Sequence, residues 1–323
     1  MENKILSFLT ENGEATPNQI AESTGFSRQY VHRKLADLLE FGAVLKLGKA
    51  PLVYYQIQKK SLPTLTEEIS ATDQAFLKAN FIEISEDGRL LEGLDAFAYW
   101  CQKRKMPLAK TFQEFRLTVD KYNQFRDKEG FINGTEKIRT TKGFEKIYLN
   151  ELYYLEFYAI ERFGKTLFGQ LLHFAKQGQN RKLSNRLIEL ARPGILALAS
   201  KLGVQAVGFI PPTIKRQVQF MILLEKQLNI TLPKVPMIKV RGEIVVPQKA
   251  LSKMEDRILN ANRSIVAGIS PHFDKVLLID DAVGSGATLN EAAGKLKQKG
   301  IADEVFGVAI TGSFKGFEVI SEA

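Results

Sequence analysis

Lys275-Val276-Leu277-Leu278-Ile279-Asp280-Asp281-Ala282-Val283-Gly284-Ser285-Gly286-Ala287-Thr288-Leu289 is the stretch on which the fold turns. Four consecutive apolar residues, 276 to 279, predict a buried strand, and two carboxylates stand at its C-terminal end. The small residues that follow predict a tight turn into a helix from Leu289 to Lys299. Together these parts make an anion site. Gly284 and Gly286 let the backbone close around a phosphate, the N–H groups of the helix start point inward, and Ser285 and Thr288 add hydroxyl donors. Asp280 and Asp281, at the mouth of the turn, can accept hydrogen bonds from a vicinal sugar diol and stand near a bound Mg²⁺. A sugar phosphate suits this constellation better than a bare phosphate.

Strand and helix signals alternate from Gly203 onward, which predicts an α/β region with a parallel sheet and helices on its faces. Val204 to Ile210 is one expected strand and Val235 to Val240 another. The segment 275–289 resembles the phosphoribosyl pyrophosphate (PRPP) motif of the type I phosphoribosyltransferases, with Gly284 where the common version carries Thr. That resemblance implies that Asp280 and Asp281 hold the ribose hydroxyls and that Gly284, Ser285, Gly286, Ala287 and Thr288 hold the 5′-phosphate.

The flanks narrow the resemblance to ComF-like phosphoribosyltransferases. Gln248-Lys249-Ala250-Leu251-Ser252, then Arg257 and Asn260, is similar to that family's Gln, Leu-Ser, Arg, Asn signature, with a spacing one residue longer. Gly208-Phe209-Ile210-Pro211-Pro212-Thr213-Ile214-Lys215-Arg216 is similar to its strand, proline and basic-residue loop, and Phe168 to Lys176 to the helix before the first strand. The likeness spans roughly residues 155 to 313. The zinc-binding cysteines of many such proteins are absent, and the usual Arg-Gly-Phe-Asn-Gln run is not recognisable.

Loss of pyrophosphate from a ribose carbon leaves negative charge on the departing group, so transfer calls for Mg²⁺ and nearby cations. Lys215, Arg216, Lys249 and Arg257 are the candidates. Residues 241 to 263 would suit a lid that excludes water. His173 and His272 are isolated and read as structural, so no general base is visible. Phe314 or Phe317 could stack on a base or pack in the core.

At the other end of the chain, Thr16-Pro17 predicts a helix start, Gly25 a tight turn, and Ser27 the cap of a helix from Arg28 to about Leu39. That helix buries Val31, Leu35, Leu38 and Leu39 and projects polar residues from its N-terminal half. Two short strands follow around Gly48-Lys49-Ala50-Pro51. Three helices and a two-stranded wing, over residues 1 to 58, resemble winged helix-turn-helix DNA-binding domains. The resemblance implies Ser27, Arg28, Gln29, Tyr30 and Arg33 at the major groove of double-stranded DNA, with Lys46 or Lys49 on phosphates. A protein-binding winged helix is the alternative, because residues 1 to 58 carry six Lys plus Arg and six Asp plus Glu.

The 323 residues carry a formal charge of +9, and 45% are hydrophobic, which excludes a disordered or fibrous chain. The surplus lies in the middle: residues 101 to 182 hold 17 Lys plus Arg against 9 Asp plus Glu. Lys103, Arg104 and Lys105 form one cluster, and Lys137, Arg139, Lys142 and Lys146 another. They read either as a solvated helical face or as a docking surface for nucleic acid or an acidic partner. Gln58 to Thr64 reads as a linker. The expected division is a winged helix over 1–58, a linker and mainly helical basic region over 59–150, and a phosphoribosyltransferase-like domain over 151–323. Phe97, Tyr99 and Trp100 read as core, and residues 147 to 163 as strand, helix or both. Cys101 is the one cysteine, so an intrachain disulfide is excluded and a packed thiol is expected. With no leader or long apolar run, a cytoplasmic protein without membrane partners is expected.

Three functions fit these readings. One is transfer of phosphoribosyl from PRPP to a base-like acceptor, with the winged helix localising the enzyme. A second is a PRPP-sensing regulator, an arrangement that resembles the purine repressor of some bacteria. A third resembles the winged-helix phosphoribosyltransferase effectors of retron antiphage systems, in which a nucleic-acid-bound partner restrains the enzyme. Winged helices that read palindromes dimerise, so a homodimer is also expected.

Overall fold

Thr16 closes a capping box. Its side chain accepts the Gln19 N–H, and the Gln19 side chain accepts the Thr16 N–H at 2.8 Å, which fixes the start of a helix with Pro17 as its first residue. In the computed structural model the N-terminal unit runs α1 (Glu2–Asn12), β1 (Glu14–Ala15), α2 (Pro17–Thr24), α3 (Arg28–Glu40), β2 (Val44–Lys49) and β3 (Leu52–Ile57). Gly25 ends α2 in the left-handed conformation, φ 72°, and turns the chain into α3. The strands form an antiparallel sheet in the order β1-β3-β2, so the two expected wing strands are joined by a third, too short to leave a period in the sequence. Ile5, Leu9, Ile20, Val31, Leu35, Leu38 and Val44 are its buried core.

The structure describes residues 2–40, 43–58, 69–214, 216–240, 251 and 253–313. The expected linker therefore lies almost wholly outside the described residues, as do Lys215, Lys249, Ser252, Phe314, Phe317 and residues 241–250 of the expected lid.

The second unit begins with α4 (Ala71–Asn80), β4 (Ile82–Ile84), β5 (Leu90–Glu92), α5 (Gly93–Lys103), α6 (Leu108–Asn123), β6 (Ile132–Asn133) and α7 (Thr135–Thr140). It continues through β7 (Glu151–Phe157), β8 (Ala159–Ile160), β9 (Gly164–Lys165), α8 (Leu167–Gln177), α9 (Arg181–Leu202) and β10 (Ala206–Phe209). Then come α10 (Phe220–Gln227), β11 (Met237–Lys239), α11 (Met254–Ser264), β12 (Ile265–Ala267), β13 (Phe273–Val283), α12 (Ala287–Gln298) and β14 (Ala302–Gly312).

Its main sheet has the order β10-β13-β14-β7-β6. β10, β13, β14 and β7 are mutually parallel, and only β6 runs against its neighbour. Side chains alternate between the faces of a strand, and β13 feeds two apolar layers. Val276 and Leu278 join the layer that includes α12, while Leu277 and Ile279 join the one built on α8, α9 and α10. β7 does the same with Leu152 and Tyr154 on one side and Tyr153 on the other. A strand buried on both faces has no apolar period, which is why residues 147 to 163 read ambiguously.

The boundary expected at residue 150 does not exist as a structural division. The chain separates into Met1–Thr64 and Leu65–Ala323. Phe97 and Trp100 of α5 and Phe112 and Phe115 of α6 share one apolar layer with Leu278, Leu289 and Ala292. Phe81 stands edge-on to Phe97 and Phe115, at 5.0 and 5.2 Å between ring centres, so the helical middle is one wall of the α/β unit. Cys101 is buried there. Residues 235 to 240 also differ from expectation: β11 leaves the parallel sheet and pairs antiparallel with β12, Met237 opposite Ala267.

Candidate functional site

Paired strands keep running past the apolar core of β13. The β13–β14 ladder extends from Phe273 opposite Ala302 to Val283 opposite Gly312, so Asp280 and Asp281 lie within the strand rather than beyond it. The pleat sends them to opposite faces. Asp281 meets α8, where Lys176 Nζ donates to its Oδ2 at 2.7 Å. Asp280 takes the Asp281 N–H on Oδ1 at 2.8 Å and feels the Lys239 charge from the end of β11.

Burial raises the Asp280 carboxyl above the ordinary carboxylate range, and the Asp281 charge adds to the rise; Lys176 and Lys239 act against it. Burial likewise lowers the Lys239 ammonium, with Asp280 opposing. Burial penalises the Asp280 carboxylate, Asp281 brings a second carboxylate beside it in the chain, and a divalent cation would relieve that penalty, so the residues fit Mg²⁺.

Immediately after β13 the chain makes the turn into α12, which starts at Ala287, two residues before the expected Leu289. Gly286 is the N-cap, left-handed at φ 81°, and a Cβ there would stand 2.8 Å from Ile138 of α7. Both conformation and space therefore demand glycine. Ser285 Oγ accepts the Ala287 N–H at 3.4 Å, a long bond that a bound anion could replace. Gly284, Ser285 and Thr288 are half-exposed at this helix start, where N–H groups and helix dipole favour negative charge.

A cavity of about 590 Å³ opens over these groups, outside the carboxyl ends of the parallel strands. Asp280, Asp281 and residues 284 to 288 line it together with Arg216, Arg257, Lys176 and Lys239. Arg216 is tied back to α8 through the Lys176 carbonyl and through Gln177 Oε1 at 3.2 Å. Arg257 Nε donates to the Leu251 carbonyl at 2.7 Å, and burial lowers its guanidinium. Tyr158, Leu172, Pro212, Phe220 and Met221 supply an apolar wall, with His173 beside it.

Sequence reasoning missed Lys176 and Lys239. In the sequence Lys176 reads only as part of a helix motif, and a lysine in a last helical turn looks like ordinary complement to the dipole. The one signal was its place in the segment 168 to 176, already singled out.

In the N-terminal unit Ser27, Arg28, Gln29 and Arg33 stand exposed on the first turns of α3, and Lys46 and Lys49 are exposed on the wing. Tyr30 is half-buried, its ring 4.9 Å from Phe26, with the Arg33 guanidinium 5.5 Å from its centre. The basic clusters of the middle are largely engaged at home. Lys103 pairs with Glu86, Arg104 covers the Trp100 ring at 4.1 Å, Arg139 pairs with Glu136, and Lys137 turns inward to the Ser313 carbonyl.

Residues 2–43 match the family model of winged helix-turn-helix DNA-binding domains. The chain thus carries an N-terminal winged helix-turn-helix, which supports DNA binding, joined to a mixed α/β region. No curated protein matches the chain. Among the described residues no helix is long and apolar enough to cross a membrane.

Proposed function

We propose that the chain is a PRPP-dependent phosphoribosyltransferase carried on a DNA-binding winged helix. One observation carries this reading: a glycine turn at a helix N-terminus, two acids and four basic side chains line a single cavity at the ends of parallel strands. The backbone N–H groups of residues 285 to 288, with the Ser285 and Thr288 hydroxyls, would hold the 5′-phosphate. Asp280 and Asp281 would accept hydrogen bonds from the ribose hydroxyls, and Lys176 would exchange its carboxylate for the diphosphate. Arg216 and Arg257 face the same charge. Mg²⁺, when held by Asp280 and Asp281, supplies neutralisation of the leaving pyrophosphate. The bond from C1′ to the diphosphate oxygen breaks with its electron pair on pyrophosphate, and a lone pair of the acceptor forms the new bond to C1′. The apolar wall from Tyr158 to Met221 excludes water from the developing cation.

Pyrophosphate release from PRPP and Mg²⁺, in the presence of pooled bases and nucleosides, tests the reading. Asp280→Asn combined with Asp281→Asn is expected to lower turnover by at least about 100-fold. A wild-type chain that binds PRPP without releasing pyrophosphate would overturn it. That outcome would favour PRPP-sensing regulation instead, for which the winged-helix match is the supporting observation.

A further inference from the structure

The segment 211–219 joins β10 to α10 and contributes to the cavity wall, and its described residues belong to no helix or strand. A loop without a ladder needs other acceptors for its backbone N–H groups. Two of them find one side chain. Gln179 Oε1 accepts the Gln217 N–H at 2.8 Å and the Val218 N–H at 3.3 Å. Gln179 is half-buried in the turn between α8 and α9, where Gly178 caps the first helix and the Asn180 side chain caps the second by accepting the Lys182 and Leu183 N–H groups. Its backbone stands in the left-handed region at φ 46°, which a glutamine adopts at a cost and which glycine or asparagine would suit better. A glutamine kept there calls for a reason in its side chain.

Arg216 is what this clamp carries. It precedes Gln217 in the chain, lines the cavity, and donates to the Lys176 carbonyl and to Gln177 Oε1, the latter at 3.2 Å. Both acceptors are neutral, so they orient the guanidinium without cancelling its charge, whereas Lys176 of the same helix directs its ammonium to the Asp281 carboxylate. These contacts leave further guanidinium N–H groups for a ligand. A planar fork fixed by neutral oxygens is prepared for a phosphate.

We propose that Gln179 is a positioning residue: it fixes the loop that carries Arg216 and so holds that guanidinium for the diphosphate of PRPP. Gln179 is not among the residues that line the cavity, and it acts through Arg216. The word diphosphate rests on the transferase reading, and the clamp itself on the hydrogen bonds from the loop to Gln179 and to the end of α8. Lys176 and the acceptors of Arg216 share the last turn of α8, so one helix end sets both cations against the same site.

Isothermal titration of the full chain with PRPP–Mg²⁺, with inorganic pyrophosphate–Mg²⁺ and with ribose 5-phosphate tests the proposal. Gln179→Met keeps the side-chain length and the same backbone demand but loses the acceptor oxygen, whereas Gln179→Glu keeps the oxygen. The first is expected to weaken PRPP and pyrophosphate by at least about fivefold and the second to stay within about twofold of wild type. Ribose 5-phosphate, which has no diphosphate, should bind both variants as it binds wild type. Arg216→Ala should weaken PRPP and pyrophosphate by at least about tenfold, and adding Gln179→Met to it should change nothing further, since both act through one guanidinium. Equal weakening of ribose 5-phosphate by Gln179→Met, an equal loss in Gln179→Glu, or additive losses in the double variant would overturn the proposal. Unchanged PRPP and pyrophosphate affinity in Gln179→Met would overturn it and leave the transferase reading standing. Diphosphate binding that depends on Gln179, in a chain that never releases pyrophosphate from PRPP, would do the reverse. A wild-type chain that takes up none of the three ligands would end both.

Discussion

On α3, Arg28, Gln29 and Arg33 stand in solvent above a core of Val31, Leu35 and Leu38, whereas at the end of β13 Asp280 and Asp281 are drawn between apolar layers and meet lysines from both faces. The first arrangement asks little of folding. Exposed cations stay hydrated, are screened by salt, and act when they displace counterions from a polyanion. The second places charge where water is scarce, so ionisation, folding and binding become one coupled equilibrium. A substitution in the winged helix should therefore change affinity and leave stability alone, while one around β13 should move both.

Replacing Arg28 and Arg33 together by alanine gives the largest effect. Each is an exposed contact worth about 1–3 kcal/mol when it reads a base, so DNA affinity should fall by at least about tenfold and the salt dependence should flatten. Electrophoretic mobility shifts at two salt concentrations measure this, and pyrophosphate release should not change. An equal loss of release would break the contrast, since it would couple α3 to the chemistry.

Gly286→Ala comes next. It forces a side chain into a left-handed backbone at φ 81° and against Ile138, so unfolding free energy should drop by about 1–2 kcal/mol. Urea denaturation gives the number, and a loss of PRPP response beyond the stability loss would sharpen the assignment of this turn to phosphate.

A further effect is in pH. Burial, then the Asp281 charge, raises the Asp280 carboxyl from 3.8 to about 7. The folded chain then holds this proton more firmly than the unfolded chain. Asp280 costs nothing below about pH 3.8, its cost grows across that interval, and it is complete above about pH 7. In Mg²⁺-free buffer, Asp280→Asn should gain stability over wild type as pH rises through the window. A constant difference at all pH values would show that the carboxyl titrates normally.

Much of this contrast is legible in the sequence because its carriers are local. Thr16-Pro17, Gly25 and the apolar run 276 to 279 act through neighbours a few residues away, and each stands as an element end or a strand in the structure. The parts that escape are held by distant partners. Lys176 acquires its meaning from Asp281, 105 positions on, and Lys137 from Ser313, 176 positions on. Lys137 sits in a basic run that resembles a solvated face, and nothing local marks it as the member that turns inward. The strand expected over 235 to 240 is present as β11, and only its sheet escapes the sequence: its apolar residues suit either sheet, and pairing with β12 decides between them.

β14, the last described strand, carries a temporal consequence. It lies between β13 and β7, and among the described residues no other strand joins β10 and β13 to β7 and β6. During synthesis the strand 151–157 leaves the ribosome long before the partner that unites it with 273–283 exists. The buried core of the winged helix, with Ile57 packed against it, is complete by residue 57. A nascent chain can thus own its winged helix while the cavity is still two unjoined edges, and such non-local closure is slow. The order of the genetic message thus completes the winged helix before the cavity.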